Sequence, residues 1–162
     1  MRAWVFGDDI DTDVLAPGRY MKAEIEEIAR HCLEAIDPSF ASSVKTGDIV
    51  VAGRNFGAGS SREQAPAALK HLGIAALIAE SFAGLFYRNA LNLGLPALVC
   101  RDAKRIRQGD ELKVDFEKST ISNLKTGDAL AFEPIAPHLM QMMRDGGLLP
   151  HLEKRLKCRT TS

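Results

Sequence analysis

The densest chemistry in the sequence lies in residues 53–63, Gly53-Arg54-Asn55-Phe56-Gly57-Ala58-Gly59-Ser60-Ser61-Arg62-Glu63. Its three glycines let the backbone approach another group closely. Ser60 with Glu63 three residues later has the form of a capping box, which predicts a helix N-terminus at Ser60. Helix-start amides, two hydroxyls and the Arg62 guanidinium together make an anion site, and the planar fork of arginine suits two-point contact with a carboxylate. A cation in a first helical turn opposes the helix dipole, so Arg62 at that place implies a demand from outside the helix. The plainer reading is a tight turn, a capped helix and Arg62 in a surface ion pair.

Three other uses of such a loop fail on its residues. A phosphate-binding P-loop ends in Gly-Lys-Ser/Thr, and no lysine is present between Gly53 and Glu63. The dinucleotide fingerprint has a third glycine where Gly57-Ala58-Gly59-Ser60-Ser61-Arg62 has arginine. A nucleophile elbow needs Gly-x-Ser-x-Gly. Metal-ligating patterns are also missing: Cys32, Cys100 and Cys158 form no C-x-x-C, and His31, His71, His138 and His151 form no i, i+4 pair. Cys32 and Cys100 sit in apolar helix and strand patterns and read as inert core residues.

The chain has 162 residues, with 21 lysines plus arginines against 21 aspartates plus glutamates. A formal charge of zero lacks the basic field that nonspecific nucleic-acid binding uses. No apolar run reaches the roughly 18–20 residues that span a bilayer, and the opening MRAWVFGDDIDTD is not a signal peptide. Three scattered cysteines fit a reducing compartment, so the expected location is cytoplasmic, with no nucleic-acid or membrane partner.

The elements that must position residues 53–63 follow from periodicity. Residues 2–6 read as a strand, 8–19 as a polar loop, and 23–35 as a helix with Ile25, Ile28, Ala29, Cys32 and Leu33 on one face. Ile49 to Ala52 is a buried strand entering the loop. A helix over 61–72, a strand over 74–79, a helix over 82–93 and a strand over 96–100 follow, which is the alternation of parallel crossover units. The last third instead predicts a hairpin of 111–116 with 120–124, a strand at 128–132, and a helix from Pro137 to Asp145 closed by Gly146-Gly147. No linker divides the chain, so residues 1–162 read as one domain, with a polar tail fraying from about 154 to 162.

The 53–63 run, followed by Ala79-Glu80-Ser81-Phe82-Ala83 and Asn89-Ala90-Leu91-Asn92-Leu93-Gly94, resembles the small subunits of the 3-isopropylmalate dehydratase family. These correspond to the swivelling C-terminal domain of aconitase. Gly7-Asp8-Asp9-Ile10-Asp11-Thr12-Asp13 with Pro17-Gly18 resembles the same family's opening loop, so the likeness covers about residues 4–100. It implies an α/β fold, a three-layer β/β/α swivelling domain, and a hydro-lyase subunit active only with a large subunit as heterodimer or heterotetramer. It further implies dehydration and rehydration interconverting 2- and 3-isopropylmalate in leucine biosynthesis, with a [4Fe-4S] cluster held by the large subunit and no metal on this chain.

By matched position, the resemblance makes Ser60 the catalytic base and Asp13 a catalytic residue that orients or balances a histidine of the partner. Asp13 as a simple loop-capping turn residue is the alternative. Ser61 and Arg62 would bind the substrate carboxylate. Met21 and Lys22, after Tyr20, fall where the family reads the variable group of its substrate: isopropylmalate enzymes resemble an apolar pair there, and homoaconitase-like relatives an arginine. Lys22 fits neither pattern. It either snorkels to solvent while Met21 lines an apolar pocket, or meets a third carboxylate. Isopropylmalate is the expected substrate; homoaconitate or a methylated malate is the first alternative, and a noncatalytic carboxylate-binding domain the second.

Overall fold

The computed structural model describes residues 1–160. Four strands, β1 (Ala3–Val5), β2 (Ile49–Ala52), β3 (Ala76–Ala79) and β4 (Ala97–Val99), form a parallel sheet in that order. Short helices connect them: α1 (Thr12–Leu15), a 3-10 turn (Gly18–Tyr20), α2 (Ile25–Arg30) and α3 (Phe40–Ser43) before β2, then α4 (Gln64–His71) and α5 (Gly84–Asn92). A second, antiparallel sheet contains β5 (Leu112–Asp115), β6 (Thr120–Asn123) and β7 (Ala129–Ala131), and α6 (Pro137–Arg144) and α7 (Leu148–Thr160) close the chain.

The period of two in a strand explains the layering. In β2, Val50 and Ala52 join the core beneath the helices, while Ile49 and Val51 face a second core shared with the antiparallel sheet. Leu77 and Ala79 of β3 likewise point to the helices, and Ala76 and Ile78 away from them. Both faces of the parallel sheet are therefore covered, which is why its strands are continuously apolar. Each fully buried isoleucine or leucine contributes roughly 1.5–3 kcal/mol of transfer free energy. The layers run helices, parallel sheet, antiparallel sheet: the expected three-layer β/β/α arrangement.

Three local expectations change. The helix read over 23–35 ends at Arg30: residues 31–36 form turns, with Leu33 at a φ of +61° and its N donating to Val14 O at 2.9 Å, so its apolar side reaches the core without further helix. The loop 8–19 contains α1, capped by Asp11, whose carboxylate accepts a hydrogen bond from Val14 N at 2.8 Å. The tail from Lys154, read as frayed, is helical as far as Thr160; residues 161 and 162 lie outside the described ones. The straight-chain residues Glu153, Lys154, Arg155, Leu156 and Lys157 favour helix. Asp145, just after α6, accepts from Lys154 Nζ at 2.8 Å and lies 2.7 Å from His151 Nδ1, which ties the new helix down. No helix among the described residues is long and apolar enough to cross a membrane.

Candidate active site

Strands β1 and β2 are parallel neighbours, so the loops that leave them emerge side by side at the carboxyl edge of the sheet. Residues 7–13 and 53–60 are then joined rung by rung. Gly53 N donates to Gly7 O (3.1 Å), Asp9 N to Arg54 O (2.8 Å), Gly57 N to Ile10 O (2.7 Å) and Thr12 N to Ala58 O (2.8 Å). Side chains lock the same seam: Asp8 accepts from Arg54 N at 2.8 Å, and Asn55 Nδ2 donates to Asp9 at 3.0 Å.

The glycines of the loop have specific causes. A Cβ on Gly53 would lie 1.8 Å from the Asp8 carboxylate. At Gly57, φ is +82° and a Cβ would lie 2.1 Å from the Phe86 ring. The loop is thus pressed onto α5, and Phe86 with Phe56 and Phe82 forms the aromatic floor beneath it.

The predicted capping box does not form. Helix α4 starts at Gln64, with Glu63 as its N-cap residue and no side-chain cap. Left-handed Gly57 and Gly59, and a turn in which Arg62 N donates to Ser60 O at 2.8 Å, keep residues 60–62 out of the helix. Arg62 therefore escapes the unfavourable first turn, and the helix dipole, whose influence fades within a turn, is weaker at Ser60 than the sequence implies.

What Ser60 meets instead is Thr12, from the other loop. The two hydroxyl oxygens are 3.3 Å apart, a long contact for a hydroxyl pair, with Ser60 exposed and Thr12 buried. Next to it, Arg62 Nη1 donates to Asp13 Oδ1 at 2.6 Å and to Ala16 O at 2.9 Å. Gly18 N donates to the same Asp13 oxygen at 2.9 Å. The Arg62 hydrogen bond, then that of Gly18, holds the Asp13 carboxyl below the usual carboxylate range. The plain surface pair foreseen for Arg62 is only half the result: Arg62 is largely covered while Asp13 is two-thirds exposed. One edge of the guanidinium is fixed, and Nη2 makes no hydrogen bond among the described residues. An open cleft of about 370 Å³ beside Asp13 is lined also by Val14, Pro17, Arg19, Glu34 and Ala35.

Of the residues singled out in the sequence, Ser60, Asp13 and Arg62 share this one edge, and Ser61 is exposed within the same turn. Met21 is half-buried and Lys22 exposed on the turn after Tyr20, and Lys22 makes no hydrogen bond or ion pair among the described residues. Their connection to the site runs through Gly18. A Cβ there would come within 3.2 Å of Asp13 Oδ1 and 3.6 Å of Arg62 Nη2. The sequence reading passed over Thr12, whose only signal was its place in Asp11-Thr12-Asp13.

The cysteines do not suit an iron–sulfur cluster. Cys32 is buried in the helix-side core, Cys100 in the core between the sheets, and Cys158 is exposed on α7. Burial pushes both core thiols up, away from the thiolate that ligates iron. Among the described residues, no group of three or more His, Cys, Asp or Glu side chains is placed to hold a metal ion.

Comparison with known proteins places this edge in context. Residues 10–103 match the model of the aconitase C-terminal domain. The methanogen homoaconitase small subunit of Methanothermobacter thermautotrophicus is 49% identical over 157 residues, covering 96% of this chain and 91% of that one. The 3-isopropylmalate dehydratase small subunit 1 of Archaeoglobus fulgidus is 52% identical over 149 residues, covering 91% and 92%. The crystal structure of 3-isopropylmalate dehydratase from Methanocaldococcus jannaschii superposes with a TM-score of 0.94 at 42% identity, over 99% of this chain and 96% of that one. A fold shared over nearly the whole length, with this level of identity, is more than a likeness of architecture: the chain belongs to the aconitase C-terminal domain family, in the form of its separate small subunits.

Proposed function

We propose that this chain is the small subunit of a 3-isopropylmalate dehydratase, a hydro-lyase that interconverts 2- and 3-isopropylmalate by dehydration and rehydration in leucine biosynthesis. The observation that carries the reading is the convergence of Ser60, Thr12, Asp13 and Arg62, from two loops, on one exposed edge. Nη2 of Arg62 is open to a substrate carboxylate, while Asp13 and Ala16 O hold the other edge of the guanidinium in place. The Ser60 oxygen, as alkoxide, takes the proton from the carbon next to that carboxylate. As the double bond forms, the C–OH bond of the neighbouring carbon breaks and the hydroxyl leaves as water with a proton supplied from the large subunit. On re-addition of water with the opposite regiochemistry, that acid recovers its proton and Ser60 returns its own to carbon. A serine hydroxyl is a poor base, so its anion needs donors: among the described residues the side chain in hydrogen-bond reach of it is Thr12, whose hydroxyl, 3.3 Å away, would turn its O–H toward the alkoxide. Ser61 contributes its hydroxyl or amide to substrate binding. The open face of Asp13 is directed to a histidine of the partner.

The Lewis acid for the leaving hydroxyl is assigned to a large subunit that carries the [4Fe-4S] cluster on its own cysteines. The active site is then shared between two chains in the cytoplasm. Met21 lines the pocket for the isopropyl group, with Lys22 at its rim. A second reading has a specific basis: Lys22 is exposed and free to meet a third carboxylate, and one relative is named a homoaconitase small subunit.

Anaerobic reconstitution with the large subunit, followed by a panel of isopropylmalate, homoaconitate and methylated malates, tests both readings. Isopropylmalate is expected to turn over best, and Ser60→Ala to lower kcat by about 10²–10⁴-fold without loss of assembly. Wild-type turnover by that variant would overturn the base assignment. Lys22→Val should raise isopropylmalate use if Lys22 reads a carboxylate, and leave it nearly unchanged if the ammonium is solvated.

A further inference from the structure

His31 immediately follows α2, as its C-cap residue. Its ring lies flat on Tyr20, with centroids 3.8 Å apart and planes 8° from parallel. Nδ1 is 2.6 Å from Glu34 Oε2, and Nε2 is 3.2 Å from Glu27 Oε1. A carboxylate only accepts, and a neutral imidazole has a single N–H, so both contacts are hydrogen bonds only when the ring is the imidazolium. Each carboxylate has a second cationic partner. Arg19 pairs with Glu34 and lies 4.9 Å from the Tyr20 ring centre, and Arg30 of α2 donates to Glu27 at 3.0 Å. The titratable and charged groups around the ring are thus Glu27 and Arg30 from α2, Glu34 from the turn beyond it, and Arg19 and Tyr20 from the 3-10 turn.

That 3-10 turn, Gly18–Tyr20, reaches the Ser60 site at its other end. Gly18 N donates to Asp13, and its backbone lies against the Arg62–Asp13 pair. The segment that leads into Met21 and Lys22 is therefore held twice, by Asp13 at its start and by His31 at Tyr20. We propose that His31, as the imidazolium, is the positioning residue of this substrate-facing segment, clamping Tyr20 through Glu27 and Glu34 and releasing it on deprotonation. The inference rests on Met21 and Lys22 facing substrate, as proposed above. Loss of the proton turns one ring lone pair toward a carboxylate and takes the imidazolium charge off the Tyr20 ring, on which the Arg19 guanidinium then remains.

The Glu34 hydrogen bond, ahead of the opposing cost of burial and the help of Glu27, raises the His31 pKa. A raised folded value means that the clamp is complete below the ordinary imidazole value of about 6.5 and is lost as pH rises through the folded value. Substrate binding should follow the same course, with the chemical step at Ser60 unaffected.

Two measurements test this. In the full chain, an NMR titration of the His31 ring should give a midpoint above about 6.5, and the amide shifts of Arg19 to Lys22 should move with it. A lower midpoint, or amides that ignore it, would overturn the clamp. In the complex with the large subunit, KM for isopropylmalate should rise roughly three- to ten-fold through that midpoint at constant kcat. His31→Gln should show the high KM at every pH, and His31→Arg, which keeps a planar charged donor, the low KM without the step. A wild-type complex whose KM has no such step, or a His31→Gln complex with the wild-type profile, refutes the proposal. If the complex turns over none of these acids, the functional reading fails instead, and the titration of the chain still decides the clamp.

Discussion

At the carboxyl edge of the parallel sheet, hydroxyls, a carboxylate and a guanidinium from distant segments meet at the surface, whereas the antiparallel sheet folds its polar groups back on themselves. Asp110 accepts from Arg107 N at 2.8 Å and from Asn123 Nδ2 at 2.7 Å, and Asn123 Oδ1 in turn accepts from Lys125 N at 3.0 Å. Both residues are buried, and their hydrogen bonds are spent on the turn that leads into β5, on the turn between β6 and β7, and on each other. Around Ser60 the capacity is left open: Asp13 is two-thirds exposed and one edge of Arg62 carries no hydrogen bond to the described residues. A buried polar group with all its bonds made builds structure, and a converged set with bonds to spare is what a ligand can use. Their shared wall is the parallel sheet, which supports the loops at its edge and packs one face on the second sheet.

The comparison breaks most strongly at Gly57. Its positive φ and a Cβ 2.1 Å from the Phe86 ring mean that Gly57→Ala must shift the loop off α5. We expect about 4 kcal/mol of destabilisation in urea unfolding, together with loss of turnover in the complex. In the other region, Ile121 is fully buried between the sheets. Ile121→Ala should cost about 3 kcal/mol through the cavity left behind, yet leave kcat of the folded complex within about two-fold. A large kcat loss there would show that the second sheet tunes the site rather than only supporting it.

The smallest effect is local to the C-terminal helices. Lys154, then His151, holds the Asp145 carboxyl down to about 2. A depressed carboxylate stabilises above its ordinary range near 4, and the contribution is lost as pH falls from there toward 2. Amides of α7 should therefore exchange faster with solvent over that window, and at neutral pH in Asp145→Asn, while those of β2 and β6 stay protected. Equal acceleration in all three would mean that α7 unfolds only with the whole chain.

Much of the frame is legible in the sequence. Ile49 to Ala52 is a buried strand in both readings, because four consecutive apolar residues after a Gly-Asp turn leave little else to form. The helix 82–93, the hairpin and the helix from Pro137 also appear with their ends displaced by a few residues. Helix α1 was hidden among Asp11, Thr12 and Asp13, whose polar side chains read as loop but serve as a cap and first turn. The start of α4 was misplaced for the opposite reason. Ser60 and Glu63 have the spacing of a capping box, yet Gly57 and Gly59 and the pull of Asp13 on Arg62 hold that stretch in another shape.

By itself, then, the sequence determined the order of the seven strands and the presence of helices α2, α4, α5 and α6, the two-sided burial of the central strands and the composition of the loop that carries Ser60, since these depend on local periodicity and on glycine content. The tertiary structure alone decided that Ser60 faces Thr12 across 48 residues of chain, that Arg62 is held by Asp13, and that Tyr20 rests on His31. Those pairings depend on which strands become neighbours and on how closely their loops approach, and residue spacing along a chain does not encode either.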